Sequence, residues 1–280
     1  MRKVLEGKNL SYSIGNKNIL TNISLDIHDN SIYSIIGENG AGKSTLLLIL
    51  SGLLEPTHGT VFRNYSGAIL INENNILYNN LTGLENLNYY RICAGRQKSI
   101  VHDVIKQFNL KEFIDTKAVN LSLGQRKKIS VAVSMIQNND LVIFDEMTTG
   151  LDRQNLVEIK QLIADLKHKY NKAVIFTTHL LDEVTELSDH TFILNQGRIM
   201  NEISLEKSSS MKVYKFKTSS SARSFKALEK TGSSIKVIDD FIIEVSIGKN
   251  ENISSLIKIL VANEVDIIDI KQENYINQFL

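Results

Sequence analysis

A glycine-rich segment constrains the fold of this chain more than any other feature. Residues 37–45 read GENGAGKST, between the apolar run Ser31–Ile36 and a leucine-rich stretch. This is the spacing of a P-loop, whose glycines allow backbone N–H groups to wrap closely around a phosphate. The segment therefore predicts a strand, a phosphate-binding loop and a helix, in that order. The string alone would also fit an ordinary glycine-rich turn, but the flanking runs favour the P-loop.

The loop also supplies the charge and the hydroxyl group that a bound nucleotide needs. Lys43 is placed to neutralise the β- and γ-phosphates, and the Ser44 hydroxyl is placed to ligate Mg²⁺. The helix that opens at Lys43 adds the positive end of its dipole. The predicted phosphate-contacting residues are Gly37, Asn39, Gly40, Ala41, Gly42, Lys43, Ser44 and Thr45.

A second predicted strand ends in two carboxylates. The apolar run Leu141–Phe144 leads directly into Asp145 and Glu146. Buried parallel strands deliver the residues at their carboxyl ends to the ligand crevice. There Asp145 suits the Mg²⁺ shell, and Glu146 is placed to polarise an attacking water. An acidic pair after a strand is also common at a helix N-terminus, but its occurrence together with the P-loop favours the catalytic interpretation.

Composition excludes several classes of protein. The chain has 280 residues, 42% apolar and 22% charged, with a net charge of +1 and one cysteine, Cys93. This is the profile of an ordinary globular protein, and one cysteine allows neither an internal disulfide nor a cysteine-cluster metal site. The longest apolar stretch, Leu46–Leu50, is far shorter than the ~20 residues of a membrane span. The N-terminus lacks the apolar core of a signal peptide, so we expect any membrane attachment to depend on another chain.

The distribution of short apolar runs predicts an α/β domain with a mostly parallel sheet. The runs alternate with helical stretches and are apolar throughout, as in strands that are covered on both faces. Between residues 77 and 139 the strand signal fades, and amphipathic stretches predict an inserted helical subdomain. The strands are expected at Ser31–Ile36, Ala68–Ile71, Leu141–Phe144, Ala173–Thr178 and Thr191–Leu194, and the inserted helices at Leu84–Arg91, Val101–Phe108 and Ser122–Gln137.

A serine run at residues 208–210 predicts a domain boundary. We expect the first domain at residues 1–207 and a small α+β accessory domain at 208–280. The second has the order strand, helix, strand, strand, helix, strand, which is the ferredoxin-like βαββαβ unit, with its hairpin turn at Asp239-Asp240. Its predicted elements are Lys212–Lys217, Ala222–Lys230, Ile235–Asp239, Phe241–Ile247, Ile253–Asn263 and Val265–Ile270.

Three further segments resemble motifs of one family, the ABC ATPases. Leu121–Gln125 reads LSLGQ, which resembles the LSGGQ signature with leucine in place of the first glycine. Gly150-Leu151-Asp152 matches the D-loop, and His179 follows a strand where the switch histidine of the family lies. Alone, these segments would also fit a helix cap or a structural histidine. Together with the P-loop and the acidic strand, they keep the family's order and spacing from about Arg2 to Glu206.

The resemblance implies an ABC nucleotide-binding domain of the P-loop NTPase fold, with ATP and Mg²⁺ sandwiched between two subunits arranged head to tail. In that arrangement Ser122 and Gly124 would meet the γ-phosphate held by the other subunit. Glu146 would be the general base, and His179 would contact the γ-phosphate. Since the chain has one set of motifs, a second copy or a paralogue would complete each site. Two further residues are implied beside the nucleotide or the subunit interface: Gln125 and Asp152.

Departures from the family pattern narrow the resemblance. Where the family usually has a glutamine that touches Mg²⁺, this chain has Glu73, unless Asn72 or a shifted loop takes that role. Glutamate there, with a leucine-containing signature, resembles the branch that serves bacitracin resistance and lantibiotic immunity. The aromatic residue that stacks on adenine usually lies at the position of Ile14. Tyr12 lies two residues earlier on the same strand face and is either that residue or a packing tyrosine.

The resemblance therefore implies the ATP-hydrolysing subunit of an ABC-2-type exporter on the cytoplasmic face of the cell membrane, paired with a separate integral-membrane permease. The implied substrate is an antimicrobial or amphipathic peptide, and the implied role is immunity or resistance. The alternatives are an ABC ATPase for another substrate and a non-transport ABC ATPase acting in regulation or on nucleic acid. We expect no nucleic acid partner, since Arg126-Lys127-Lys128 is expected to be a solvated helix turn.

Overall fold

The chain folds into two compact units, Met1–Ile203 and Ser204–Leu280. The computed structural model describes residues 1–72, 76–205, 212–229, 231, 233–247, 252–273 and 276. The domain boundary predicted after residue 207 lies outside these residues. The strands that begin in the first unit are β1 (Lys3–Ile14), β2 (Lys17–His28), β3 (Ile32–Ile36), β4 (His58–Arg63), β5 (Ala68–Ile71), β6 (Leu141–Phe144), β7 (Ala173–Thr178), β8 (His190–Asn195) and β9 (Arg198–Ser204). The described helices of that unit are α1 (Lys43–Ser51), α2 (Gly83–Cys93), α3 (Ser99–Gln107), α4 (Leu123–Gln137), α5 (Arg153–His168) and α6 (Leu181–Leu187), with a short 3-10 helix at Ala118–Asn120.

A six-stranded sheet forms the centre of the first unit. Its strand order is β5-β6-β7-β3-β8-β9, and the first five of these run parallel to one another. Every residue of β3, β6 and β7 is buried, because helices or a second sheet cover both faces. The predicted α/β class and parallel sheet are confirmed, and β6 and β7 have the predicted bounds.

A smaller antiparallel sheet and α1 pack together against the central sheet. The strand order of the smaller sheet is β2-β1-β4. Leu46 and Leu50 of α1 share one buried cluster with Leu10 of β1 and Ile35 of β3. All four side chains are at most 1% exposed, and each such burial stabilises the fold by roughly 1.5–3 kcal/mol relative to an exposed side chain. This packing fixes the helix that follows the glycine-rich loop against the sheet.

Helices predicted between residues 77 and 139 are present as α2, α3 and α4. Leu87, Val104 and Ile129, one from each helix, belong to a second buried cluster that also includes Phe144 of β6. Thr82 begins α2 with a capping box: its hydroxyl accepts the Glu85 N–H, and the Glu85 carboxylate accepts the Thr82 N–H. The inserted helices are thus held by the same core as β6, the strand that leads into Asp145.

The second unit has the predicted βαββαβ order. Its strands are β10 (Lys212–Thr218), β11 (Ser234–Val237), β12 (Ile242–Ile247) and β13 (Ile267–Glu273). They lie in the order β11-β12-β10-β13 with antiparallel pairing throughout, as in the ferredoxin-like arrangement. The Asp239 carboxylate accepts the N–H groups of Phe241 and Ile242 at 2.8 and 2.7 Å, which forms the predicted hairpin turn. The described helices of this unit are α7 (Ser221–Leu228) and α8 (Ile253–Ala262).

The last strand begins later than predicted. The sequence pattern places its first residue at Val265, but the Val265 N–H donates to the Leu260 carbonyl at 3.0 Å. Glu264 has a φ of 57°, so these residues form a left-handed turn that ends α8, and β13 begins at Ile267.

Within the described ranges, no helix has the length and apolar character needed to cross a bilayer.

Candidate active site

The strand order brings three of the predicted site segments to one edge of the central sheet. β7 lies between β3 and β6, and the three strands are parallel. Gly37 follows β3, His179 follows β7 and Asp145 follows β6. Since neighbouring strands lie about 4.8 Å apart, Gly37 and Asp145 follow strands that are about 10 Å apart. A phosphate chain can span that distance, so the edge suits a nucleotide.

The glycine-rich loop holds its lysine against its own backbone. Lys43 is 7% exposed, and its ammonium group donates to the carbonyl oxygens of Gly37 at 2.7 Å and Glu38 at 3.0 Å. It lies at the first position of α1, where the helix dipole is positive. The loop therefore places a fixed positive charge beside a positive helix end, which is the electrostatic setting that a phosphate requires.

Gly42 is required by both backbone conformation and space. Its φ is 103°, and a Cβ there would lie 2.7 Å from Leu20 Cδ2 and 3.1 Å from the Ile19 carbonyl oxygen. It caps α1 without a side-chain hydrogen bond, so no side chain of the cap occupies the first-turn N–H groups. Asn39 and Ser44 are exposed. The cradle fits a phosphate group, and the exposed Ser44 hydroxyl fits a magnesium ligand beside it.

The two carboxylates after β6 are held from β7. The Thr177 hydroxyl donates to Asp145 Oδ1 at 2.7 Å and accepts the Glu146 N–H at 3.0 Å. The Asp145 N–H donates to the Ile71 carbonyl at 2.9 Å. Glu146 has a φ of 52°, a left-handed conformation that a non-glycine residue keeps only where its surroundings hold it. Such strain is concentrated at functional sites and agrees with a catalytic role for Glu146.

The signature segment begins a helix, as predicted. Ser122 caps α4 in a capping box: its hydroxyl accepts the Gln125 N–H at 3.3 Å, and the Gln125 side chain accepts the Ser122 N–H at 2.9 Å. Ser122 is exposed, whereas Gly124 is buried within the chain. The first turn of α4 thus presents a hydroxyl and a positive dipole end at the surface, where another subunit's phosphate could bind.

The D-loop packs on the signature segment of the same chain. Asp152 caps α5 by accepting the Asn155 N–H at 2.8 Å, and the Asn155 amide donates to it at 2.6 Å. The Asn155 N–H, then its side-chain amide, hold the pKa of Asp152 below its usual value. A Cβ on Gly124 would come within 2.9 Å of the Asn155 amide nitrogen. Gly124 therefore allows the two motifs to touch.

A narrow cleft lies between the signature helix and the two carboxylates that follow β6. Its lining includes Asp145, Glu146, Leu123 and Lys127. Lys127 is only 4% exposed and donates to the Thr149 carbonyl at 2.6 Å. The expectation of a fully solvated turn at residues 126–128 is therefore wrong for Lys127, because this side chain turns inward to the segment that follows Glu146.

The structure gives less information on three other predicted site residues, His179, Tyr12 and Glu73. His179 is exposed at the end of β7, beside the P-loop strand. Tyr12 is half-buried and packs against the α1 core cluster, while Ile14 is 64% exposed, so an adenine contact for Tyr12 stays a prediction. Glu73 lies outside the described residues. Among the described residues, no group of three or more His, Cys, Asp or Glu could hold a metal alone. Ser44 and Asp145 together with nucleotide phosphates fit the sparse protein ligation that Mg²⁺ prefers.

Sequence reasoning missed several residues that organise the site. Thr177, Lys127, Asn155 and Glu183 make their contacts with other segments or motifs of the site. The threonine pair that ends β7, directly before His179, was the available signal, because two hydroxyl groups at the carboxyl end of a buried strand must find partners near the ligand crevice.

Comparisons with known proteins agree with this geometry. The family model described as ABC transporter matches residues 20–149. YcbN of Bacillus subtilis, an ABC transporter ATP-binding protein, is 29% identical over 95% of this chain and 92% of its own. The lantibiotic transport ATP-binding protein SrtF of Streptococcus pyogenes is 31% identical over 71% of this chain and 90% of its own. A solved dimeric ATP-binding cassette in a post-hydrolysis state, bound to ADP and Pi, is 25% identical, with a TM-score of 0.62 over 72% of this chain and 98% of its own.

Proposed function

Because this chain belongs to the family of ABC transporter ATP-binding proteins, we propose that it powers the expulsion of an antimicrobial or amphipathic peptide through a separate membrane permease. The observation that carries the ATPase assignment is the meeting of the P-loop, Asp145-Glu146 and His179 at one sheet edge. The peptide assignment is supported by the similarity to a lantibiotic transport protein and by the leucine at position 123 of the signature.

Hydrolysis of ATP would use the residues at this edge in distinct roles. Lys43 neutralises charge on the β- and γ-phosphates, and Glu146 accepts a proton from the water that attacks the γ-phosphorus. The bond between that phosphorus and the β–γ bridging oxygen breaks, and ADP leaves with the electron pair. His179 contacts the γ-phosphate. Ser44 and Asp145 would hold Mg²⁺, which when bound supplies further positive charge at the phosphates.

A second nucleotide-binding subunit would complete each site. Ser122 lies at an exposed helix N-terminus, and in a head-to-tail dimer it would face the γ-phosphate bound by the other subunit. Gly124 and Gln125 would shape that contact, and Asp152 would lie at the subunit interface. The likeness to a dimeric cassette bound to ADP and Pi supports this arrangement. The partner is either a second copy or a paralogue.

The permease would bring the ATPase to the cytoplasmic face of the membrane. ATP-driven closure of the two nucleotide-binding subunits would pull on the permease, and hydrolysis would reset them. Glu73, at the position of the family's glutamine, would act near the metal and the permease contact. No nucleic acid partner is part of this proposal.

Deletion of the gene tests the proposed substrate. We expect the deleted cells to become sensitive to bacitracin, a lantibiotic or an amphipathic peptide, and we expect the wild-type gene but not Glu146→Gln to restore protection. The Glu55→Gln variant is the matched control, since the Glu55 side chain is 76% exposed and pairs only with Arg63 among the ion pairs found in the described ranges. Unchanged sensitivity across the peptide panel would contradict the peptide assignment while leaving the ATPase assignment intact.

A further inference from the structure

A buried glutamate connects the segment after Glu146 to the segment before His179. Glu183, in α6, is 1% exposed. Its Oε2 accepts hydrogen bonds from the hydroxyl groups of Thr148 at 2.8 Å and Thr178 at 2.6 Å. Thr148 lies two residues after Glu146, and Thr178 directly precedes His179. One carboxyl oxygen therefore joins two segments that are about thirty residues apart in sequence and both carry site residues.

The strand that leads to His179 is attached to the catalytic segment through both of its faces. Thr177 bonds the backbone of Glu146 on one face. Neighbouring strand residues point to opposite faces, so Thr178 reaches Glu183 from the other. The Thr178 hydroxyl also accepts the N–H of Leu180 at 3.0 Å, which fixes the chain immediately after the histidine.

Packing alone does not explain why position 183 carries a carboxyl group. Both Thr148 and Thr178 are themselves buried, at 7% and 3% exposure. Within the described part of the chain, Oε1 of Glu183 is buried without a hydrogen-bond partner. Burial of a polar atom without a partner costs free energy that an apolar side chain of similar volume would not lose. The two hydrogen bonds to Thr148 and Thr178 therefore explain why a carboxyl group, rather than an apolar one, is present at this position.

We propose that Glu183 is a positioning residue for ATP hydrolysis: it fixes the positions of the general base and the switch histidine relative to each other. This inference rests on the roles proposed above for Glu146 and His179. Glu146 adopts a left-handed backbone with a φ of 52°, which persists only where neighbouring bonds over-determine it. Thr177 holds the N–H of Glu146, and Glu183 holds the chain beyond it through Thr148. Loss of the second hold allows the base to leave its reactive position.

Isosteric variants test the link with little risk to folding. Thr148→Val removes the hydroxyl and keeps the shape, whereas Thr148→Ser keeps the hydroxyl. In the full-length chain purified with its membrane partner, we expect Thr148→Val to lower kcat for ATP by about tenfold or more, because small misplacements of catalytic groups are costly. The KM for ATP should stay within about twofold, and Thr148→Ser should retain most of the rate. Glu183→Gln should fall between them.

A control on the same helix separates this effect from a general disturbance of α6. Glu186 has a side chain that is 59% exposed and pairs with Lys160, so Glu186→Gln should leave kcat unchanged. Hydrogen exchange gives a readout that needs no turnover. The N–H groups of Glu146 and Leu180 should exchange faster in Glu183→Ala than in wild type, because the segments that hold them lose their shared carboxyl group.

The outcomes distinguish this inference from the proposed function. If the wild-type protein hydrolyses ATP and Thr148→Val keeps both its kcat and its amide protection, the positioning role is overturned. A loss of kcat that Thr148→Ser shares equally would also overturn it, since the hydroxyl would not be the cause. If the wild-type protein hydrolyses no ATP, yet Glu183→Ala still loses protection at both amides, the proposed function fails and the structural link stands.

Discussion

Glycine is required at position 37, the first glycine of the P-loop, because the sheet leaves no space for a side chain there, rather than because of its backbone conformation. A Cβ at this position would come closer than 3.0 Å to the Leu194 carbonyl oxygen and lie 3.2 Å from its carbonyl carbon. Leu194 belongs to β8, which pairs with β3 through Ile36 and Ile193. Since the obstacle is backbone of a paired strand, it cannot rotate away as the tip of a side chain could. Gly37→Ala must therefore displace β8 from β3.

The expected cost is about 3 kcal/mol, at the upper end of the range for overpacking a well-packed core. Gly40→Ala is the matched control within the same loop. Gly40 has a φ of 83°, but a Cβ added there would meet no atom within 4 Å, so only backbone strain of roughly 1–2 kcal/mol applies. For a unit of about 200 residues, 1 kcal/mol shifts Tm by about 2–4 °C.

Thermal unfolding followed by circular dichroism measures the difference. We expect Tm to fall by about 6–12 °C in Gly37→Ala and by about 2–8 °C in Gly40→Ala, with the larger cost giving the larger shift. Because the second unit could unfold separately, the transition is assigned to the first unit by the loss of hydrogen-exchange protection at the amides of β3, where every residue is buried. A smaller effect in Gly37→Ala than in Gly40→Ala would refute the argument from the Leu194 contact.

Three further variants address charge and hydrogen bonding. Lys43→Ala should abolish ATP binding in calorimetry, since it removes the buried cation of the loop; wild-type affinity would contradict the phosphate-binding assignment. Thr177→Val should lower the free energy of unfolding in urea by about 1–3 kcal/mol, because the Glu146 N–H loses its acceptor, whereas Thr177→Ser should cost little. Asn155→Ala should raise the pKa of Asp152 toward its ordinary value, because one of the donors that hold it down is gone. At pH values above the unfolded-state pKa of Asp152, the ionised carboxylate caps and stabilises α5, and this stabilisation is lost as the pH falls through the folded-state pKa. Asn155→Ala should therefore lose the stabilisation at a higher pH than wild type. An unchanged titration of the Asp152 carboxyl group by carbon-13 NMR would contradict this.

Local sequence pattern predicts much of the fold. β6 and β7 have the predicted bounds because each is a short, wholly apolar run of the kind that a doubly covered strand contains. The helix caps at Ser122 and Asp152 also follow local rules, since side chains with a short polar group accept N–H groups two or three residues later. The βαββαβ order of the second unit could also be predicted, because each of its strands and helices follows a local sequence pattern.

Contacts between distant segments could not be predicted. Lys127 belongs to a run of three basic residues, a pattern typical of a solvated helix face, yet it is buried on the Thr149 carbonyl. Its burial depends on where α4 crosses the segment after β6, which no local pattern encodes. Glu183 likewise looks like an ordinary residue of the first turn of α6, and only the folded chain shows both of its threonine partners.

The predicted site can be divided in the same way. Parallel strands bring their carboxyl ends to one edge of a sheet, so Gly37, Asp145 and His179 could be predicted to lie at that edge. Only the folded chain shows that β7 lies between β3 and β6. The left-handed backbone of Glu146 could not be predicted, because glutamate has no intrinsic preference for it and long-range hydrogen bonds hold it in place.

The hydrolytic activity of Glu146→Gln tests the central claim most directly. The measurement is single-turnover hydrolysis of ATP by the full-length chain with its membrane partner, alongside nucleotide binding, with Glu55→Gln as the control. The account predicts that Glu146→Gln binds ATP with nearly wild-type affinity, because the exchange removes one proton acceptor and little volume, while hydrolysis falls by at least about a hundredfold, the scale of general-base catalysis. Hydrolysis at the wild-type rate in Glu146→Gln would contradict the assignment of Glu146 as the general base.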